Sequence, residues 1–191
     1  MKRIRTAALA GAAALALSLG TISIVPTFAA EMTKMVGGAA MYPSKNIVQN
    51  AVNSKDHTTL VAAVKAAGLV QTLESPGPFT VFAPTNEAFA KLPAGTVDTL
   101  LKPENKTKLT GVLTYHVVSG RLTTAQLREK VKEGGGMAEL KTVEGEPLTV
   151  KENDGKLWLI DGKGDRAEIT IGDVMQSNGV IQVINTVMLP S

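Results

Sequence analysis

The sequence predicts an α+β domain built on an antiparallel sheet. Helical periodicity dominates as far as residue 133, short strands punctuated by turn signals follow from Met137, and one strand sits early among the helices. Helices first and strands after argue against a doubly wound α/β fold, where the two alternate.

The early strand is Phe79-Thr80-Val81-Phe82-Ala83. Both of its faces carry aromatic or branched apolar residues, so it is expected to be buried on both sides. Pro84 ends it, because proline has no N–H for a ladder. Thr85 can cap a helix with Glu87 in its first turn and Ala88, Phe89 and Leu92 on its apolar side. Pro93 and Gly95 close that helix.

Before this strand, Ala30 to Tyr42 has two glycines, three methionines and no period, and is expected to be a flexible leader. Ser44 is a candidate N-cap for a helix bearing Ile47, Val48, Ala51 and Val52. Thr58 or Thr59 is expected to cap a second helix with Leu60, Val61, Val64 and Ala67 on one side, and Gly68 suits its left-handed C-terminal position. Val70 to Leu73 forms a short turn, and Ser75-Pro76-Gly77-Pro78 turns the chain into the strand.

After the Thr85 helix, Thr96 is expected to cap a short helix with Val97, Leu100 and Leu101, and Pro103 opens another carrying Leu109, Val112 and Leu113. Tyr115 to Val118 reads as a strand. Thr123 or Thr124 caps a helix with Leu127 and Val131, and Gly134 to Gly136 form a loop. Strands follow at Ala138 to Val143, Leu148 to Lys151, Lys156 to Ile160, Ile169 to Ile171 and Val180 to Ile184. Asp154-Gly155 supplies the turn chemistry of a hairpin.

The N-terminus is a separate matter. Lys2, Arg3 and Arg5 precede the apolar stretch Ala7 to Leu19, and Thr27-Phe28-Ala29 offers small residues where a signal peptidase reads. Residues 1–29 are therefore expected to be a cleavable signal peptide, leaving a domain over 43–191 and no stable membrane anchor. Those three are among 20 basic residues in the chain, and the first 29 residues hold no acidic one, so the remainder balances at 17 basic and 17 acidic. That balance gives no reason to expect a nucleic acid or polyanion as partner. The chain has no cysteine, which excludes disulfides, a lipoprotein anchor, a thiol nucleophile and thiolate metal ligands. The expected location is periplasmic or secreted.

No residue pattern points to catalysis or to a cofactor. His57 lies in a polar turn and is expected to be solvated, while His116 is expected to be a partly buried, hydrogen-bonded residue at a helix–strand junction. No G-x-S-x-G elbow is present, Gly134 to Gly136 lack the Lys-Ser/Thr of a phosphate loop, and Asp161 to Asp165 has Lys163 where a calcium loop needs an oxygen ligand. The charged run Lys102 to Lys108 reads as a solvated helix face.

Four segments resemble the fasciclin (FAS1) family. Thr80 to Phe89 follows its first signature box, with Thr80, Phe82, Pro84, Thr85, Asn86 and Phe89 in place. Tyr115-His116 matches its central pair. Asn178 to Pro190 follows the second box through Asn178, Gly179, Asn185 and Pro190, with Gln182 standing where many members have histidine. Leu60 to Leu69 looks like the early helix. Gln182 cannot titrate near neutral pH, so no role needing a charged imidazole is expected there. The Asp-Ile adhesion motif of animal members is absent from Asn105 to Leu109.

The resemblance implies a β-wedge or sandwich with helices packed on it and a role in adhesion or extracytoplasmic protein contact, without enzymatic activity. It implies a cell-surface or extracellular protein or polysaccharide as partner, with a homodimer as one possibility. Thr85, Asn86 and His116 are expected to share a hydrogen-bonded network. Tyr115-His116 with Glu104 to Thr114 is the expected contact surface. The alternative is a periplasmic protein that binds a small ligand in a pocket between sheet and helices.

Overall fold

A computed structural model of the protein describes residues 33–191. The expected signal peptide and the first residues of the leader lie outside the described residues.

Nine strands and seven α-helices are described. A small hairpin comes first, β1 (Lys34–Val36) and β2 (Ala39–Met41). Helices α1 (Ile47–Ala51), α2 (Thr58–Ala67) and α3 (Val70–Glu74) follow, then strand β3 (Phe79–Pro84). Helices α4 (Asn86–Ala90), α5 (Thr96–Leu100) and α6 (Lys106–Tyr115) lead to β4 (Val117–Ser119) and α7 (Thr124–Glu133). The C-terminal strands are β5 (Met137–Lys141), β6 (Pro147–Asn153), β7 (Lys156–Ile160), β8 (Arg166–Gln176) and β9 (Gly179–Ile184).

The hairpin corrects the expectation of a flexible leader for residues 34–41. Periodicity is invisible in three-residue strands, but Val36 and Met41 are buried in the core and hold the hairpin down. Its turn docks through the Gly37 carbonyl, which accepts from Lys55 N–H at 3.1 Å.

Seven strands form one sheet in the order β4-β3-β9-β8-β7-β6-β5. The pairings are antiparallel except that β3 and β9 run parallel, with Phe79 opposite Gly179 and Pro84 opposite Ile184. The sheet curls until its ends touch. Val118 in β4 bridges Thr142 after β5, and Val143 N–H donates to Val117 O at 2.8 Å.

Strand β3 is buried on both faces, and each face belongs to a different core. Val81 and Ala83 pack with the helical side, against residues such as Ile47, Val64 and Leu113. Phe82 faces the opposite way, into a core inside the curled sheet with Leu127, Leu148, Leu159 and Met188. The period of two in the sequence thus becomes a partition between two hydrophobic volumes.

Strand β8 is longer than its apolar stretch suggests. It runs through Gly172-Asp173, where the register shifts and Asp173 takes a left-handed φ of 56°. A bulge of this kind lets one strand bend and serve two parts of a sheet. The first part of β8 pairs with β7 and the rest with β9.

Some caps differ from expectation. Asn46, not Ser44, caps α1, through a reciprocal pair with Gln49. Gly95 in a left-handed conformation, not Thr96, precedes α5, and His57, without a side-chain cap, rather than Thr58 or Thr59, precedes α2. Tyr115 ends α6 and His116 is its C-cap, so the strand starts at Val117. Thr85 and Thr123 cap α4 and α7 as expected, and Gly68 closes α2 with φ 75°.

Candidate functional site

The motif residues lie at joints between elements. In β3, the Thr80 hydroxyl donates to Gly120 O at 2.7 Å and accepts from Leu122 N–H at 2.8 Å, pinning the chain between β4 and α7. Phe82 is fully buried, Phe89 packs on the helical side, and Pro84 ends the parallel pairing. Thr85 Oγ1 accepts from Ala88 N–H.

Asn86 acts at a distance. Its Oδ1 accepts from Thr59 N–H at 3.0 Å and from the Thr58 hydroxyl at 3.2 Å, and its Nδ2 donates to Lys55 O at 2.8 Å. It therefore supplies from α4 the cap that the start of α2 does not have in its own sequence neighbour.

His116 is wholly enclosed. Nδ1 lies 2.7 Å from Val112 O, and Nε2 lies 3.0 Å from Met188 N. A carbonyl can only accept and an amide N–H can only donate, so the ring is neutral with its proton on Nδ1. Burial lowers its pKa to about 4, against opposing contributions from the Val112 carbonyl and Asp161.

Tyr115 points into the sheet core, and its hydroxyl donates to Pro147 O at 3.0 Å. Burial raises its pKa. Tyr115 and His116 are 0% and 2% exposed, so neither can touch a partner. This overturns their part in the expected contact surface: the apolar side of α6 carries the pair inward. The exposed residues of that segment are Glu104, Lys106, Thr107 and Lys108.

The second box does similar work. Asn178 accepts from Ile47 N–H at 3.1 Å and donates to Leu73 O and Ser75 O at 2.7 and 2.9 Å, joining α1 to α3. A Cβ on Gly179 would stand 2.1 Å from Phe79 O, so only glycine admits the close approach of β9 to β3. Asn185 accepts from Glu168 N–H at 2.9 Å. Pro190 is half-buried in the tail after Met188.

Gln182 is fully buried. Its Oε1 accepts from Asp173 N–H at 2.9 Å, and its Nε2 donates to Leu122 O at 2.9 Å and Asp173 Oδ1 at 3.2 Å. The side chain thereby satisfies the bulge in β8. Asp173 also accepts from Thr124 N–H at 2.7 Å and from its hydroxyl at 2.5 Å. Burial pushes its pKa up, but the Thr124 and Gln182 hydrogen bonds outweigh this and hold it below the ordinary value.

Thr85, Asn86 and His116 do not form one network. Each serves a separate joint, and the polar atoms at these joints are used up internally.

The structure also holds a pocket between sheet and helices, whose lining residues the sequence did not indicate. Between α1, α2, α3 and the helical face of β3 lies an apolar cavity of about 80 Å³. Ile47, Val64, Leu73, Val81 and Ile181 are among its walls, and His57 lines it too. His57 was expected in solvent but is 3% exposed. The Ala83 main chain lies beside the ring, and the hairpin turn packs on Ser54 to Asp56 just before it. Nδ1 lies 2.8 Å from Ser54 Oγ, while Nε2 has no hydrogen-bond partner of good geometry. Burial lowers the His57 pKa, opposed by the Ala83 main chain and Asp56. No local sequence signal marks this histidine, since Ala83 reaches it from elsewhere in the chain.

A family model described as the fasciclin domain matches residues 55–190. The chain belongs to the fasciclin domain family. Among fasciclin relatives, protein sll1483 of Synechocystis is 47% identical over 175 residues, covering 92% of this chain and 90% of that protein. The cell surface glycolipoprotein MPB83 of Mycobacterium bovis is 31% identical over 192 residues, covering 98% of this chain and 78% of that protein. A solved FAS1 domain pair from the insect cell adhesion molecule Fasciclin I superposes with a TM-score of 0.68 at 19% identity, covering 78% of this chain and 52% of that one. That likeness bears out the α+β fasciclin fold. The hairpin β1–β2 and α1 precede the segment that the family model matches. Among the described residues no helix is long and apolar enough to cross a membrane.

Proposed function

We propose that this chain is an exported fasciclin module that mediates cell adhesion or contact with a cell-surface or extracellular protein or polysaccharide, and that it is not an enzyme. The observation that carries the reading is family membership: Fasciclin I is described as a cell adhesion molecule and MPB83 as a cell surface glycolipoprotein. The N-terminal charge and apolar pattern supports export by a cleaved signal peptide. The motif residues support a scaffold role, because their hydrogen-bonding atoms face inward and leave recognition to the surface.

The contact surface is then the exposed start of α6 with the turn before it, Glu104 to Lys108. A lone domain joins two surfaces only if it has two faces or forms a homodimer. The test is a pull-down with residues 30–191 from the producing cell's envelope, beside a variant carrying Lys106→Glu and Lys108→Glu. One specific protein or glycan retained by the parent and lost by the variant is the expected result. Equal retention by both would remove this surface from the proposal.

The cavity beside His57 favours a second reading, a periplasmic small-ligand-binding protein. Its walls are apolar and it lies between sheet and helices, as ligand sites commonly do.

A further inference from the structure

Among the described residues, His57 Nε2 is the buried side-chain nitrogen or oxygen left without a hydrogen bond. The other polar side chains that line the cavity fall into two groups. His116 uses both ring nitrogens, Ser54 is taken by His57 Nδ1, and the Thr114 hydroxyl donates to Thr110 O and Gly111 O. Lys65 and Thr72 are exposed and mark where the lining reaches solvent, between α2 and α3.

The cavity therefore has an apolar lining that includes a histidine whose Nε2, beside the Ala83 main chain, makes no hydrogen bond of good geometry. An apolar cavity of this size stays dry, because a water needs two to four polar partners. A dry void forfeits dispersion contacts along its walls, and the unpaired nitrogen adds its own desolvation cost. A ligand that is apolar along its length and polar at one end would repair both.

We propose that this cavity binds a small apolar molecule bearing a single hydroxyl group, which meets His57 Nε2 while the hydrocarbon part lies between α1, α2 and α3. The volume, about 80 Å³, sets the scale: an engineered cavity of roughly 150 Å³ takes up benzene, so the enclosed part of this ligand is about the size of a four-carbon chain. Any longer tail would leave past Lys65 and Thr72. The hairpin is part of the site. Val36 and Met41 are in the wall, and a Cβ on Gly37 would stand 2.3 Å from Ser54 Oγ, the atom that orients the histidine. The proposal rests on the second reading above and is independent of the adhesion reading, which the pull-down tests.

The probes are 1-butanol and 1-chlorobutane, alike in shape but differing in hydrogen-bonding capacity. Titrations of the isotope-labelled protein, residues 30–191, are followed by amide shifts and by the ¹⁵N resonance of His57 Nε2. Saturable shifts at Ile47, Val64 and Leu73 are expected for both probes, and the Nε2 resonance is expected to move with the alcohol alone. In His57→Leu the ratio of alcohol to chloride affinity is expected to fall about three- to tenfold, the range of one net hydrogen bond. Ala51→Leu, which fills the cavity from α1, is expected to abolish both bindings with His57 intact. No saturable shift at the wall residues up to the solubility of the chloride would overturn the proposal. So would an Nε2 resonance that responds equally to both probes, a reading that needs no variant to fold.

Discussion

His116 ties α6 to the tail after β9, and its two hydrogen bonds leave no place for a second proton. The folded pKa of about 4 lies below the ordinary value of 6.5. Above pH 6.5 the ring is neutral in both states. Between 6.5 and 4 the unfolded chain binds the proton and the folded chain does not, so stability falls as pH drops through this window. The gap corresponds to about 3 kcal/mol. His57 shifts in the same direction. Asp173 acts in a lower window: its depressed pKa gives stability above the ordinary carboxylate value that is lost as pH falls through the folded one. His116→Gln, which keeps a donor and an acceptor, is expected to flatten the wild-type loss of urea resistance between pH 6.5 and 4.5. A variant as pH-sensitive as the parent would mean that other groups govern this range. The sequence placed His116 at its junction and indicated a hydrogen-bonded ring. It could not place His57, because that histidine is buried by residues far away in the chain.

At the scale of elements, the caps and close approaches written in the motifs have separable energies. Thr85→Ala removes one side-chain cap from α4 and is expected to cost about 1 kcal/mol. Gly179→Ala pushes a methyl group into the Phe79 carbonyl, and the backbone must shift. It is expected to cost about 3 kcal/mol or more, in the range of an overpacked core. Chemical denaturation of both variants at neutral pH would show the order, and a Gly179→Ala loss smaller than that of Thr85→Ala would contradict the β3–β9 geometry. Helices and C-terminal strands were legible because their period, caps and turn residues are local. The hairpin β1–β2 was not legible, since each of its strands has three residues and is held by Val36 and Met41 rather than by propensity. The bulge in β8 was hidden too: Gly172-Asp173 reads as a turn until Gln182 is seen to fill it.

For the whole molecule, the order of elements correctly gave α+β but not the parallel pairing of β3 with β9. Periodicity marks a strand buried on both faces without naming its neighbours. The two cores either side of β3 are likewise a property of the curled sheet, legible in the sequence only as alternation. The apolar cavity lies in one of these cores. Its walls come from both ends of the chain, which is why no contiguous motif announced it.

The pairing of Phe79 with Gly179 also sets an order in time. During synthesis β3 emerges long before β9 and has only β4 to lie against. Contacts between such distant segments form slowly, because a long loop must close before they are rewarded. A chain that stops after Gln176 is expected to lack cooperative unfolding when followed by circular dichroism, and a sharp transition in that fragment would refute this. Until the last strand arrives, the polypeptide is thus held in a loose and threadable condition. That is the condition in which a translocation channel accepts a substrate, so under the export proposed above the topology that delays folding would also suit passage through such a channel.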